Sequence, residues 1–342
     1  MPQEAARVRL DGWQCGAPRV RGEMSPAAAA MLPGKYASAT ARHNAPAMAS
    51  TVQERRIPTT GPSLGVRDHL GGEPTVLALH GLASNARWWD LVAERLSPRF
   101  RVVAVDLRGH GVSDKPDGGY DFATVVADLR ELVAALGLPP LVVAGHSWGA
   151  SVALAFGAAF PDLSLGVVCV DGGATDLKAY FGPTWEMAEQ TMKPPNLAGI
   201  TAQVLRDWMD SSPLSEGSDA NVAAGILLGN FEDDGTGTGH LRPRLALDHH
   251  MQIAKHLFEL DGYELMTHVR CPVLFVPAGH PDHEDAPKVR AMGRARGVLG
   301  ERAHITWVDG VHDIPVQRPT EVADAIRVFL ETDLGSQAGR AR

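Results

Sequence analysis

The chain has 342 residues, of which 44 % are hydrophobic, and its 32 Lys+Arg against 40 Asp+Glu leave a net charge of −8. That much apolar material fills a core and excludes whole-chain disorder, while the acidic balance excludes binding by neutralisation of nucleic-acid phosphates. No run of about 18 apolar residues suggests a membrane span. Three cysteines (Cys15, Cys169 and Cys271) form neither a closed disulfide framework nor a paired metal-ligand spacing.

Residues 1–47 contain five prolines and the run Ala27–Ala30, and their six basic residues outnumber three acidic ones, so the remainder carries −11. This composition predicts a disordered extension. The apolar patch Ala27–Leu32 is too short and too far in for a secretory leader, so a cytoplasmic location is expected. Met48 reads as an alternative start of the protein proper.

From Thr51 onward the pattern changes. Residues 51–57 and 63–70 predict an antiparallel pair of strands. Short, nearly continuous apolar runs follow at Thr75–His80, Arg101–Asp106, Leu141–Gly145, Leu165–Asp171, Pro272–Pro277 and His304–Val308. Such runs suit strands buried on both faces of a parallel sheet. Helical patterns separate them at Trp88–Leu96, Phe122–Leu136, Trp148–Phe160, Ala286–Leu299 and Thr320–Glu331. The alternation predicts a doubly wound α/β sheet. Between Asp171 and Cys271, about a hundred residues without a clear strand read as an insertion.

The chemistry is expected at the strand ends. Gly145-His146-Ser147-Trp148-Gly149 follows an apolar strand and opens an apolar helix. In that context the serine sits in a tight turn with its hydroxyl lifted above the sheet, and the flanking glycines avoid collision with neighbouring backbone. A serine hydroxyl needs a base to take its proton, and His312 follows the last strand. A carboxylate must orient the imidazole. Asp282, after the strand 272–277, is the choice, with Asp285 and Asp171 as competitors. An oxyanion hole is expected from the N–H groups of Trp148, at a helix start, and of Leu82, in the loop after the strand 75–80. His80 is expected to shape that loop rather than act as a base.

The segments LHGLASNARWW (79–89), DLRGHGVSDKP (106–116), AGHSWGAS (144–151), CPVLFVPAGHPD (271–282) and VDGVHDIPVQRP (308–319) together resemble the α/β-hydrolase superfamily over about residues 51–332. The resemblance implies an eight-stranded, mostly parallel sheet with a helical cap inserted after the sixth strand. Residues 48–171 and 269–332 would form the core, 172–268 the cap and 333–342 a flexible tail. It also implies Ser147 as nucleophile, Asp282 as acid, His312 as base, and Leu82 with Trp148 at the oxyanion. Ala150 and the histidine-rich acid loop depart from the common pattern. Epoxide hydrolases and haloalkane dehalogenases of this fold use an aspartate nucleophile, so Ser147 argues against both. Trp148 beside the nucleophile is similar to proline iminopeptidases, although His146 stands where those have glycine.

Gly81, Arg87 and His146 are candidate substrate contacts. The cluster His280–Asp285 lacks a second group to complete a metal site, and Gly235–Gly239 follows no strand and reads as a loop, not a phosphate cradle. Asp248-His249-His250 reads as one helix face, with lining of the substrate pocket as the alternative. The expected activity is cleavage of a small-molecule carboxylic ester through an acyl-enzyme, with no cofactor or metal. Lactone, amide or C–C bond cleavage, perhydrolysis, and a non-catalytic receptor of the same fold are the alternatives.

Overall fold

The computed structural model describes residues 52–174, 176–197, 199–282 and 287–334. The expected extension 1–47, nearly all of the tail, and Asp285 lie outside these residues.

Eight strands form one sheet. They are β1 (Val52–Ile57), β2 (Leu64–His69), β3 (Val76–Leu79), β4 (Val102–Asp106), β5 (Leu141–His146), β6 (Ser164–Val170), β10 (Val273–Val276) and β11 (Ala303–Ile305). Their spatial order is β1-β2-β4-β3-β5-β6-β10-β11. The β1–β2 and β2–β4 pairings are antiparallel and all others parallel. The continuous apolar runs have a simple cause. Alternate residues feed opposite cores: Val76, Ala78, Val102 and Val142 face one, and Leu77, Leu79, Val103 and Val143 the other. The first core is closed by helices Asp90–Leu96 and Pro319–Val328, the second by Phe122–Ala135, Trp148–Ala159 and Pro287–Leu299. In Phe122–Ala135 the stripe Val125, Val126, Leu129, Leu132 and Val133 is buried, and Asp121 caps the helix by accepting from the Thr124 amide.

Between β6 and β10 the chain forms six α-helices among the described residues: Leu177–Phe181, Trp185–Met192, Ala202–Asp210, Ala220–Leu228, Leu247–Glu259 and Gly262–His268. It also forms a second sheet, which the expectation of a strandless segment missed. β7 (Ile200–Thr201), β8 (Phe231–Asp233) and β9 (His240–Pro243) pair antiparallel in the order β7-β9-β8. Strands of two to four residues are too short to display a period. The glycine-rich stretch between β8 and β9 is their connecting loop, with Gly235, Gly237 and Gly239 all at positive φ. At the end of the insertion the chain returns to the core, where a Cβ on Gly262 would lie 2.3 Å from the Gly173 carbonyl oxygen.

Asp106, at the end of β4, ties two loops that border the site. Its carboxylate accepts from the Ala86 amide at 2.7 Å and from the Val112 amide at 2.9 Å, and it is buried. An asparagine there keeps one acceptor oxygen and turns its NH2 toward the second amide. The Asp106→Asn protein should therefore lose about 1.5–3 kcal/mol of unfolding free energy, measured by urea denaturation.

Candidate active site

Ser147 links β5 to the helix Trp148–Ala159, with φ 55° and ψ −120°. Crowding enforces this turn. A Cβ on Gly145 would stand 1.9 Å from the Gly149 carbonyl oxygen, and one on Gly149 2.5 Å from the His80 carbonyl oxygen. Gly172 is a third such position, since a Cβ there would lie 2.3 Å from the Ser147 carbonyl oxygen. The Ser147 amide donates to the Val170 carbonyl at 2.9 Å, which pins the turn to the end of β6.

His312 stands in the loop after β11, and its Nε2 lies 2.9 Å from Ser147 Oγ. Its Nδ1 lies 2.6 Å from Oδ2 of Asp171. The expected acid, Asp282, is not there. Its side chain is 76 % exposed and pairs with His280 at 3.0 Å. The reason lies in the backbone beyond β10, where the Ala278 amide donates to Asp171 Oδ1 at 2.8 Å and Gly279 turns at φ 119°. The chain then leaves the site before residue 282 is reached. Asp171, buried and itself at φ 42°, fills the position from the end of β6. The three side chains in contact follow the chain order Ser147, Asp171, His312, with the carboxylate one strand earlier than expected. The sequence carried a signal for this: an aspartate closing a buried strand directly before Gly172-Gly173.

Lys288 also holds the Asp171 carboxylate. Its Nζ lies 2.6 and 2.9 Å from the two oxygens and donates to the Ala278 carbonyl at 3.0 Å. Burial alone would raise the Asp171 pKa, but its hydrogen bond to His312 and the charges of His312 and Lys288 hold it well below the ordinary carboxylate range. For His312, burial opposes the charged form and Asp171 favours it strongly enough to raise the pKa above the ordinary histidine value, while Lys288 pulls it down. Sequence reading gave Lys288 no role, because a lysine in the first turn of a surface helix reads as solvated.

Gly81 and Leu82 lie with Ser147 and His312 in the wall of one cavity of about 50 Å³, as do Trp88, Trp208 and Leu214. A Cβ on Gly81 would come within 3.2 Å of the Ser147 Cβ, so glycine lets this loop approach. Trp148 is the first residue of its helix, and an amide there has no intrahelical acceptor. His80 shapes the loop: its Nδ1–H donates to the Gly81 carbonyl at 2.7 Å, and its Nε2 accepts from the Leu107 amide at 3.1 Å. Burial brings its pKa down to about 4, so it stays neutral. His110 repeats the device, accepting from the Ala83 amide at 3.3 Å and stacking on Trp148 at 5.4 Å.

His146 joins the site: it lines the cavity, and its Nε2–H donates to the His312 carbonyl at 2.9 Å. Burial brings its pKa down to about 3, so its Nδ1 carries no proton. Arg87 does not join. It turns outward to Glu54, Nη2 to Oε1 at 2.9 Å, because its short helical turn Ala86–Trp89 buries Trp88 and Trp89 instead. Of the 248–250 group, His249 meets the Tyr120 hydroxyl at 3.0 Å, while His250 lines a separate, larger cavity. No three metal-ligating side chains gather among the described residues, and no helix there is long and apolar enough to cross a membrane.

The fold agrees with the comparisons. A family model described as the alpha/beta hydrolase fold matches residues 74–210. A 2-(acetamidomethylene)succinate hydrolase of Mesorhizobium japonicum is 38 % identical over 117 residues, 34 % of this chain and 42 % of that protein. A soluble epoxide hydrolase of Corynebacterium sp. is 47 % identical over 85 residues, 25 % of this chain and 29 % of that one. The matched stretch thus spans less than half the length of these curated relatives. The crystal structure of an E-2-(acetamidomethylene)succinate hydrolase superposes with a TM-score of 0.67 at 25 % identity, covering 82 % of this chain and all of that one. Residues 74–210 thus match that family, and the chain has the α/β-hydrolase fold.

The lysine contact has a measurable consequence. A cation near His312 disfavours the imidazolium, so removing it should raise the His312 pKa further. In a Lys288→Met protein the imidazole NMR titration of His312 should therefore move to higher pH than in the wild type. A midpoint that stays put or falls would mean that Lys288 does not act on the His312–Asp171 pair.

Proposed function

We propose that the protein is a serine hydrolase that cleaves a carboxylic ester of a small molecule. The observation that carries this reading is the continuous contact from Ser147 Oγ through His312 to Asp171, at 2.9 and 2.6 Å. The Ser147 proton passes to His312 Nε2 as Oγ bonds to the substrate carbonyl carbon, and the negative charge moves onto the carbonyl oxygen. The amides of Leu82 and Trp148 stabilise that oxyanion. The bond to the leaving oxygen then breaks, His312 returns its proton to the departing alcohol, and an acyl group remains on Ser147. Water, deprotonated by His312, attacks the acyl carbon; the bond to Ser147 Oγ then breaks, His312 returns the proton to Oγ, and the acid is released.

Asp171 fixes the imidazole by accepting from Nδ1–H and stabilises its charged form. Water activation needs neutral His312, whose raised pKa places the acid limb of activity above the ordinary histidine value near 6.5. Amide cleavage is the second reading, favoured by the full-length likeness to an enzyme named for an acetamido substrate. It uses the same steps with an amine as leaving group.

On a panel of short-chain esters and amides, Ser147→Ala should lower kcat by about 10⁴-fold or more. A fluorophosphonate probe should label the wild type and leave the variant unlabelled. Full activity or labelling of Ser147→Ala would overturn the mechanism, and an unreactive wild type would favour a receptor. Asp171→Asn should cost about 10²–10⁴-fold in kcat, whereas Asp282→Asn should remain within twofold of wild type; the reverse pattern would restore Asp282 as the acid.

A further inference from the structure

The space around the site is divided into two compartments of unequal size. The one that holds Ser147 and His312 measures about 50 Å³, walled by Trp88, Trp208, Pro213 and Leu214. A water-sized group occupies about 10–15 Å³ on this measure, so only a few heavy atoms fit. A second cavity of about 560 Å³ opens on the far side of the Ala83–Ser84 loop, under the inserted segment. Ala83, Ser84 and Asn230 line both and form the border between the two compartments.

The walls of the larger cavity combine apolar side chains (Leu197, Phe231, Leu241 and Leu245) with three cations, Lys193, Arg242 and Arg244. No carboxylate among the described residues lines it. Glu232, which is not in the wall, pairs with Arg242 at 2.9 Å and Arg244 at 3.1 Å. Counting also Asp106, whose carboxylate stands behind Gly111 of the wall, two carboxylates face three cations and an excess of positive charge remains. His110 and His250 also line the cavity but stay neutral, since burial lowers both. At the junction, Ser84 is 8 % exposed and its Oγ has no hydrogen-bond partner among the described residues. A buried hydroxyl left unpaired costs free energy that a bound polar group recovers.

We infer that the substrate is an ester or amide with one short uncharged arm, held beside Ser147, and one longer arm that ends in a carboxylate among Lys193, Arg242 and Arg244. Ser84 Oγ hydrogen-bonds the substrate where it passes between the compartments and acts as a positioning residue. This assignment rests on the serine-hydrolase reading above and adds the substrate class to it.

The carboxylate belongs to either the acyl or the leaving half, and two pairs of esters separate these cases. Monomethyl adipate is compared with methyl hexanoate, and 4-carboxyphenyl acetate with phenyl acetate. At low ionic strength the charged member of one pair should show kcat/KM about fivefold to tenfold above its neutral partner. That preference should shrink with added salt, and it should shrink again in Lys193→Gln and Arg244→Gln proteins. Ser84→Ala should lower kcat/KM about threefold to tenfold with an unchanged or raised Tm, because it deletes an unpaired buried group; a lowered Tm at unchanged kcat/KM would assign Ser84 to structure instead. If neutral esters are hydrolysed through Ser147 and neither charged ester is preferred, the anionic substrate class is overturned and the hydrolase reading stands. If no ester is turned over and the fluorophosphonate probe leaves Ser147 unlabelled, the hydrolase reading falls and this inference with it. Labelling of Ser147 without turnover of any of the four esters would overturn the substrate class alone. Should a variant fail to fold, the wild-type preference and its salt dependence decide.

Discussion

Three non-glycine residues among those described adopt positive φ: Ala83, Ser147 and Asp171. Each such position costs of order 1–3 kcal/mol, so it persists only where the surroundings leave no alternative. Here the three follow three different strands: Ala83 and Ser147 line one cavity, and Asp171 is joined to Ser147 through His312. Ser147 turns between β5 and its helix because backbone from Gly149 and Gly172 closes in on both sides, within distances that exclude any Cβ. Asp171 turns at the end of β6, where its amide donates to the Val276 carbonyl and its carboxylate receives the Ala278 amide. Ala83 turns in the loop that His80 and His110 hold from below. The parallel pairing of β3, β5, β6 and β10 brings these turns together, and the rest of the site depends on it.

Around them lies a set of imidazoles with divided duties. His80, His110 and His146 are buried, and burial keeps all three neutral even where a carboxylate stands near, as Asp313 does 3.8 Å from His146. As neutral rings each has one donor and one acceptor nitrogen, which suits them to linking backbone groups in loops that no regular ladder supports. His312 differs only in its neighbour. The Asp171 carboxylate at 2.6 Å reverses the effect of burial and makes it the histidine that favours a proton. Lys288 on the other side of the same carboxylate moderates that preference, so the basicity of His312 is set by a balance across one aspartate.

Sequence patterns anticipated the sheet well because its signals are local. An apolar run of four to seven residues bounded by turn residues states where a strand lies, and a three–four stripe such as Val125 to Val133 states which face of a helix is covered. The same local logic singled out Ser147, since Gly145 and Gly149 flank it at the spacing the turn needs. It failed for the second sheet, whose strands of two to four residues hold no period. It failed for Arg87 as well, because a turn of four residues gives no indication of which side chain points outward. Asp282 and Asp171 both stand after apolar strands, and the Gly172-Gly173 pair beside Asp171 does not by itself say which carboxylate reaches His312.

By itself, then, the sequence determined the α/β alternation, the tight turn at Ser147 and the histidine after the last strand. Each of these is written in periodicity or in glycine spacing within a few residues. The tertiary structure alone decided which carboxylate meets His312. That choice depends on the Ala278 amide, on Lys288, and on the direction in which the chain leaves β10. The division of the site into a tight and a wide compartment was likewise decided only by packing. It arises where the inserted segment settles over the Ala83–Ser84 loop, between residues more than a hundred positions apart.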